Sequence, residues 1–96
     1  MKQIPEIRIS LDPESEEAKA AIGFKYNSAA GKASKIGGEP EWIQGEEWPT
    51  CDCGQKMTFY GQLDSIGDEY CLADCGIIFV FVCFDCFETK SVLQTC

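Results

Sequence analysis

A mainly β fold of the α+β kind, a small antiparallel sheet with one short N-terminal helix, is predicted by three features of the 96-residue sequence. Ile77-Ile78-Phe79-Val80-Phe81-Val82 is an unbroken β-branched and aromatic run, the pattern of a strand covered on both faces or central in a sheet. Met57-Thr58-Phe59-Tyr60-Gly61-Gln62-Leu63-Asp64 puts Met57, Phe59 and Leu63 on one face and Thr58, Tyr60 and Gln62 on the other, so it reads as a strand with one wet side. The third feature is a close cysteine pair beside each strand, Cys51 and Cys53 just before the first and Cys83 and Cys86 just after the second.

The remaining elements follow in chain order. Ile7, Ile9 and Leu11 alternate with polar neighbours behind Pro5, which predicts a half-buried edge strand. Asp12-Pro13-Glu14-Ser15-Glu16-Glu17 supplies a cap, a proline for the first helical position and a first turn full of carboxylates, so a helix is expected from about Pro13 to Ile22. Residues 23–38, rich in Gly, Ser, Ala and Lys, read as a flexible loop. Trp42 and Trp48 stand beside glycine and proline and are expected to plug the core under irregular loops. Lys90 to Thr95 supplies a last short strand.

Ninety-six residues make one domain, 1–96, near the lower end of what a hydrophobic core stabilises without a metal, a disulfide or a partner. The apolar fraction of 45% and charged fraction of 25% are those of a folded globular chain. Histidine is absent, which removes Cys-His and Ser-His-Asp catalysis, histidine-ligated zinc and any imidazole base near neutral pH. The start Met1-Lys2-Gln3-Ile4-Pro5-Glu6 has no apolar core of signal-peptide length, and the longest apolar run, Gly76 to Phe84, is too short to cross a bilayer. A soluble, cytoplasmic chain is expected.

In a reducing compartment seven cysteines are more naturally thiols and metal ligands than a disulfide framework, and the odd count points the same way. If the two central strands run antiparallel and adjacent, Cys51, Cys53, Cys83 and Cys86 meet at one end of the ladder. Four thiolates suit tetrahedral zinc, so a zinc-ribbon-like four-cysteine site holding Zn2+ is expected there. The one-residue spacer between Cys51 and Cys53 is tight, and Gly54 permits the turn, with its amide expected to donate to a thiolate. Cys71 and Cys75 lie in the connection at the far end of strands that rise roughly 3.3 Å per residue, too distant to share the ion, and read as small buried hydrophobes. Cys96 reads as a frayed terminal thiol. A thiol oxidoreductase using Cys83 and Cys86 is the alternative, disfavoured because Asp52, Asp85 and Glu88 oppose thiolate formation without a metal.

Sixteen acidic residues against eight basic ones give a net charge of −8. Such a field repels phosphate backbones and anionic membrane surfaces and speeds encounter with basic proteins. Nucleic acid and membrane are therefore not expected as partners, and a basic protein is. Asp64, Asp68, Glu69 and Asp74 share one connection and read as solvated surface rather than an acid and base pair.

The stretch Lys35-Ile36-Gly37-Gly38-Glu39-Pro40 through Trp48-Pro49 to Met57–Asp64 resembles the YwqG-like family of bacterial proteins of unknown function. The cysteine pairs, with Phe79-Val80-Phe81-Val82-Cys83 between them, are similar to the C-terminal domain of the programmed cell death protein 2 family. The resemblance covers roughly residues 35–94. It implies a β-rich domain with no established enzymatic activity and, for the second group, a cytosolic role escorting a ribosomal protein. The expectation is a non-enzymatic zinc-binding interaction domain that presents an acidic surface to a basic protein, in a chaperone-like or toxin-neutralising role.

Overall fold

A computed structural model describes residues 2–22, 32–66, 72–73 and 75–95. Its elements are β1 (Ile7–Arg8), α1 (Glu16–Ile22), β2 (Lys35–Ile36), β3 (Thr58–Asp64), β4 (Ile77–Val82) and β5 (Thr89–Gln94). The strands form one five-stranded antiparallel sheet in the order β1-β2-β3-β4-β5, so each lies beside its neighbour in sequence. The continuous apolar run becomes β4, flanked by β3 and β5, as a strand with no polar position must be.

One face of the sheet holds the core. Ile77, Phe79 and Phe81 of β4 meet Met57 and Phe59, with Cys51 and Cys83 at one end. The segment between β2 and β3 folds back over them as a second layer, and its tryptophans plug the core as expected. Trp42 lies 4.7 Å from Phe79, and Trp48 lies 5.4 Å from Phe81. The Trp48 indole N–H donates to the Met57 carbonyl at 2.7 Å, so the large ring is buried with its one polar atom satisfied.

The alternation read for β3 fails beyond Phe59. Phe59 pairs with Phe81, yet Gly61 pairs with Val80, so Tyr60 is an extra residue in a β-bulge. One inserted residue exchanges the faces of everything after it. Leu63, expected inside, is 50% exposed, and Gln62, expected outside, is 1% exposed.

Three further expectations are corrected. The N-terminal strand does lie at the sheet edge, but it is two residues long and Ile7 and Leu11 are exposed, because β1 has only the equally short β2 to pair with. The helix starts at Glu16 rather than near Pro13, since Ser15 caps it, its Oγ accepting the Ala18 N–H at 3.0 Å. Within the loop read over 23–38, Lys35 and Ile36 form β2, while 23–31 lies outside the described residues. Lys35 is buried, and its ammonium is held by Glu6 at 2.8 Å and Glu41 at 3.6 Å. Its hydrogen bond and charge hold the Glu6 carboxyl below the usual carboxylate range. Gly37 follows with φ +69°, and a side chain there would strike the Ile4–Pro5 backbone that crosses it.

Candidate metal centre

Two tight turns build the site. In the first, the Cys51 N–H donates to the Gln55 carbonyl and the Gly54 N–H to the Cys51 carbonyl, each at 2.8 Å, with Thr50 bridged to Lys56. Gly54 closes it at φ +93°, a conformation that costs glycine nothing. In the second, between β4 and β5, the Cys83 N–H donates to the Glu88 carbonyl at 2.9 Å and the Phe87 N–H to the Cys83 carbonyl at 2.7 Å. Phe87 takes φ +63°, an unusual conformation for a bulky residue. The pairing of Thr58 with Val82 sets the two turns side by side at one end of the ladder.

Cys51, Cys53, Cys83 and Cys86 are thereby brought together as the strand-end argument requires. Their four sulfurs all lie within 4.8 Å of one another, with Cys51 to Cys86 at 3.1 Å and Cys53 to Cys83 at 3.7 Å. Tetrahedral zinc with bonds of about 2.3 Å needs sulfur–sulfur edges of about 3.8 Å. The cluster therefore has the size and the all-thiol chemistry of a site that could hold a metal ion. Cys51 and Cys83 are buried, whereas Cys53 and Cys86 face solvent.

The backbone already favours negative sulfur at one corner. Amides of Cys86 and Asp85 hydrogen-bond Cys83 and draw its thiol down to about 7. At Cys53 the Gln55 amide and Cys51 pull downward, but desolvation and the nearby Cys83 and Cys86 leave the thiol raised overall. Gly54 does not play the part read for it, since its amide serves the Cys51 carbonyl and the Gln55 amide serves a sulfur instead.

Glu88 was not singled out as a site residue, and it is the strongest modifier of the site. Its Oε2 accepts from the Cys51 thiol at 3.0 Å and from the Asp52 N–H at 3.3 Å. That hydrogen bond holds the Cys51 thiol far above the ordinary thiol range. A metal-bound Cys51 has no proton to give, so Glu88 must then release it. The sequence places Glu88 among the acidic neighbours that oppose thiolate formation, and it does so at Cys51, whereas the Cys83 thiol is drawn down instead.

Cys75 is disulfide-bonded and half-buried, which corrects its reading as a small buried hydrophobe. A tight turn in which the Gly76 N–H donates to the Leu72 carbonyl at 2.6 Å holds it just ahead of β4, at the opposite end from the cluster. Cys71, Cys96, Asp68, Glu69 and Asp74 lie outside the described residues. Asp64 is a structural acceptor for the Ala33 and Ser65 amides at 3.2 and 2.7 Å.

The family described as a domain of unknown function, DUF1963, matches residues 34–83, from the start of β2 to the first cysteine of the second pair. The chain belongs to the DUF1963 family. A relative within reach is the uncharacterized protein YpfL of Salmonella typhimurium (strain LT2), 37% identical over 65 residues. That alignment covers 64% of this chain and 15% of YpfL, so the DUF1963 chain spans only a small part of that relative's length. No solved structure matches.

Proposed function

We propose that this DUF1963 domain is a non-enzymatic interaction module, stapled by one zinc ion on Cys51, Cys53, Cys83 and Cys86. The observation that carries the reading is the four-sulfur cluster of tetrahedral size built from two facing turns. A set of four thiolates completes a zinc coordination shell and leaves no open position for a reacting water, which favours a structural over a catalytic ion.

The oxidoreductase reading finds one favourable feature, the Cys83 thiol near 7. Cys83 is, however, buried among three other sulfurs, where an incoming disulfide cannot reach it. Native mass spectrometry of the freshly purified chain is expected to show one zinc per chain; a fully folded, metal-free chain would end the proposal. Four reduced thiols argue for a cytoplasmic location, and the Cys75 disulfide argues against it. A separate denatured-mass spectrum tests the point, because a chain isolated with a thiol-alkylating trap carries two fewer adducts than the fully reduced chain if the bond exists in the cell.

We assign the partner-facing side to the segment that carries Trp42 and Trp48, where Glu39 and Glu46 are exposed. A net charge of −8 favours a basic protein there. Its association rate should fall markedly as the Debye length shrinks from about 30 Å at 0.01 M salt to about 8 Å at 0.15 M. Rates measured across that range, with Glu39→Gln/Glu46→Gln as comparison, test this; indifference to both rules out steering.

A further inference from the structure

The two close sulfur contacts of the cluster both run between the turns. Cys51 meets Cys86 at 3.1 Å, and Cys53 meets Cys83 at 3.7 Å. Each pair sets one exposed sulfur, Cys86 or Cys53, against one buried sulfur, Cys51 or Cys83. The turns keep their shape through their own backbone hydrogen bonds, Gly54 N–H to the Cys51 carbonyl and Phe87 N–H to the Cys83 carbonyl. Closing a disulfide of about 2.05 Å therefore asks each pair for an approach of less than about 2 Å, within reach of side-chain rotation.

We propose that the cluster is also an oxidation site, at which peroxide replaces the ion by two disulfides, Cys51–Cys86 and Cys53–Cys83, that keep the same two turns joined. The inference rests on the zinc reading for the ion displaced, and on the sulfur geometry alone for the pairing.

Metal-bound sulfur is already thiolate, and exposure decides which thiolate meets a small oxidant first. Cys86 and Cys53 attack hydrogen peroxide, each gaining a hydroxyl to become a sulfenic acid while the O–O bond breaks and hydroxide leaves. The buried thiolate opposite, Cys51 or Cys83, then attacks that sulfur, so that the S–S bond forms, the S–O bond breaks and a second hydroxide leaves. Each disulfide consumes one peroxide, which takes up the two electrons the sulfurs lose, and two protons from solvent turn the hydroxides into water. Two peroxides remove all four thiolate ligands and set the divalent ion free.

Pairing across the turns is what preserves the fold. Cys51 and Cys86 are 35 residues apart and Cys53 and Cys83 are 30, loops long enough for a cross-link to restrict the unfolded chain strongly. Bonds of Cys51 to Cys53 and of Cys83 to Cys86 would tie residues the chain already holds close and would not connect the two turns.

Peptide mapping of the full wild-type chain tests this. The chain is purified under reductant, its zinc is counted, and after removal of the reductant it is treated with hydrogen peroxide and any remaining thiol is alkylated. Trypsin, cutting after Lys35, Lys56 and Lys90, separates the turns into peptides 36–56 and 57–90, which should stay joined after oxidation. Cleavage before Asp52 and Asp85 then parts the cysteines of each pair, and should give Cys51 joined to Cys86 and Cys53 joined to Cys83. One zinc per chain should be lost, with the β-sheet circular dichroism retained. A reduced chain stripped by chelator should lose that signal, so the contrast belongs to the bonds. Unlinked tryptic peptides, the opposite pairing, sulfinic acids in place of bonds, thiols that survive peroxide, or loss of the sheet signal on oxidation would each overturn the proposal. A reduced chain with no zinc before peroxide defeats the metal reading instead, and the linked fragments of that same chain still decide the pairing.

Discussion

Replacing Cys83 by Ser is expected to release the metal and unfold the domain together. Cys83 is buried where β4 ends, and its own backbone closes the turn that carries Cys86. A hydroxyl is a poor zinc ligand at neutral pH, so three thiolates would remain, two of them open to water. Structural zinc supplies on the order of 10 kcal/mol of apparent binding energy to small domains, whereas total stability is only about 5–15 kcal/mol. The lost ligand therefore removes a large share of what holds the fold. Removing zinc from the wild type with a chelator should produce the same loss of the β-sheet signal. Cys75→Ser is the matched control: it removes a disulfide at the opposite end of the strands and should leave one zinc per chain. Equal metal loss in both variants would show that the ligand set is wrong.

The cysteine centre was legible in the sequence because two strands and two pairs determine it. β4 declares itself by a run with no polar interruption, and once β3 pairs with it antiparallel, residues just before one and just after the other must meet. The half of β3 beyond Phe59 was not legible. Alternation predicts faces only while the ladder is regular, and nothing in Phe59-Tyr60-Gly61 announces a bulge except a glycine that any turn or close approach would also explain. Lys35 was hidden for a related reason. A lysine in a Gly- and Ser-rich stretch reads as solvated, and its burial depends on Glu6 and Glu41, carboxylates from two other segments. Glu88 was overlooked as a site residue because its carboxylate matters only through the turn that folds it back onto Cys51. The partners of Gln62 and Gln94 are equally non-local: both glutamines are buried, and both hold the 41–47 segment onto the sheet.

Gln94→Ala is expected to be the most damaging change away from the metal. The Gln94 side chain is buried at the end of β5, and its Oε1 accepts from the Ile43 and Gln44 amides at 2.8 and 3.0 Å. Its Nε2 donates to the Gly45 carbonyl at 2.7 Å and to Glu47 at 2.8 Å. One side chain thus orders the segment between the two tryptophans, and alanine leaves two amides and a carbonyl without their partners. A buried polar group left unpaired costs about 1–3 kcal/mol, but Gln44 and Gly45 are exposed and water can reach part of the gap. A net loss of about 3 kcal/mol is the reasonable figure, equivalent to a fall in Tm of about 15 °C in a domain of this size. Tryptophan fluorescence should shift to the red, because Trp42 and Trp48 rest on the core only while this segment is held down. Zinc content should stay at one, since the cysteine turns are joined by other hydrogen bonds. A fall of less than about 3 °C with unchanged fluorescence would mean that ring packing alone seats the tryptophans, and that the glutamine bonds merely accompany it.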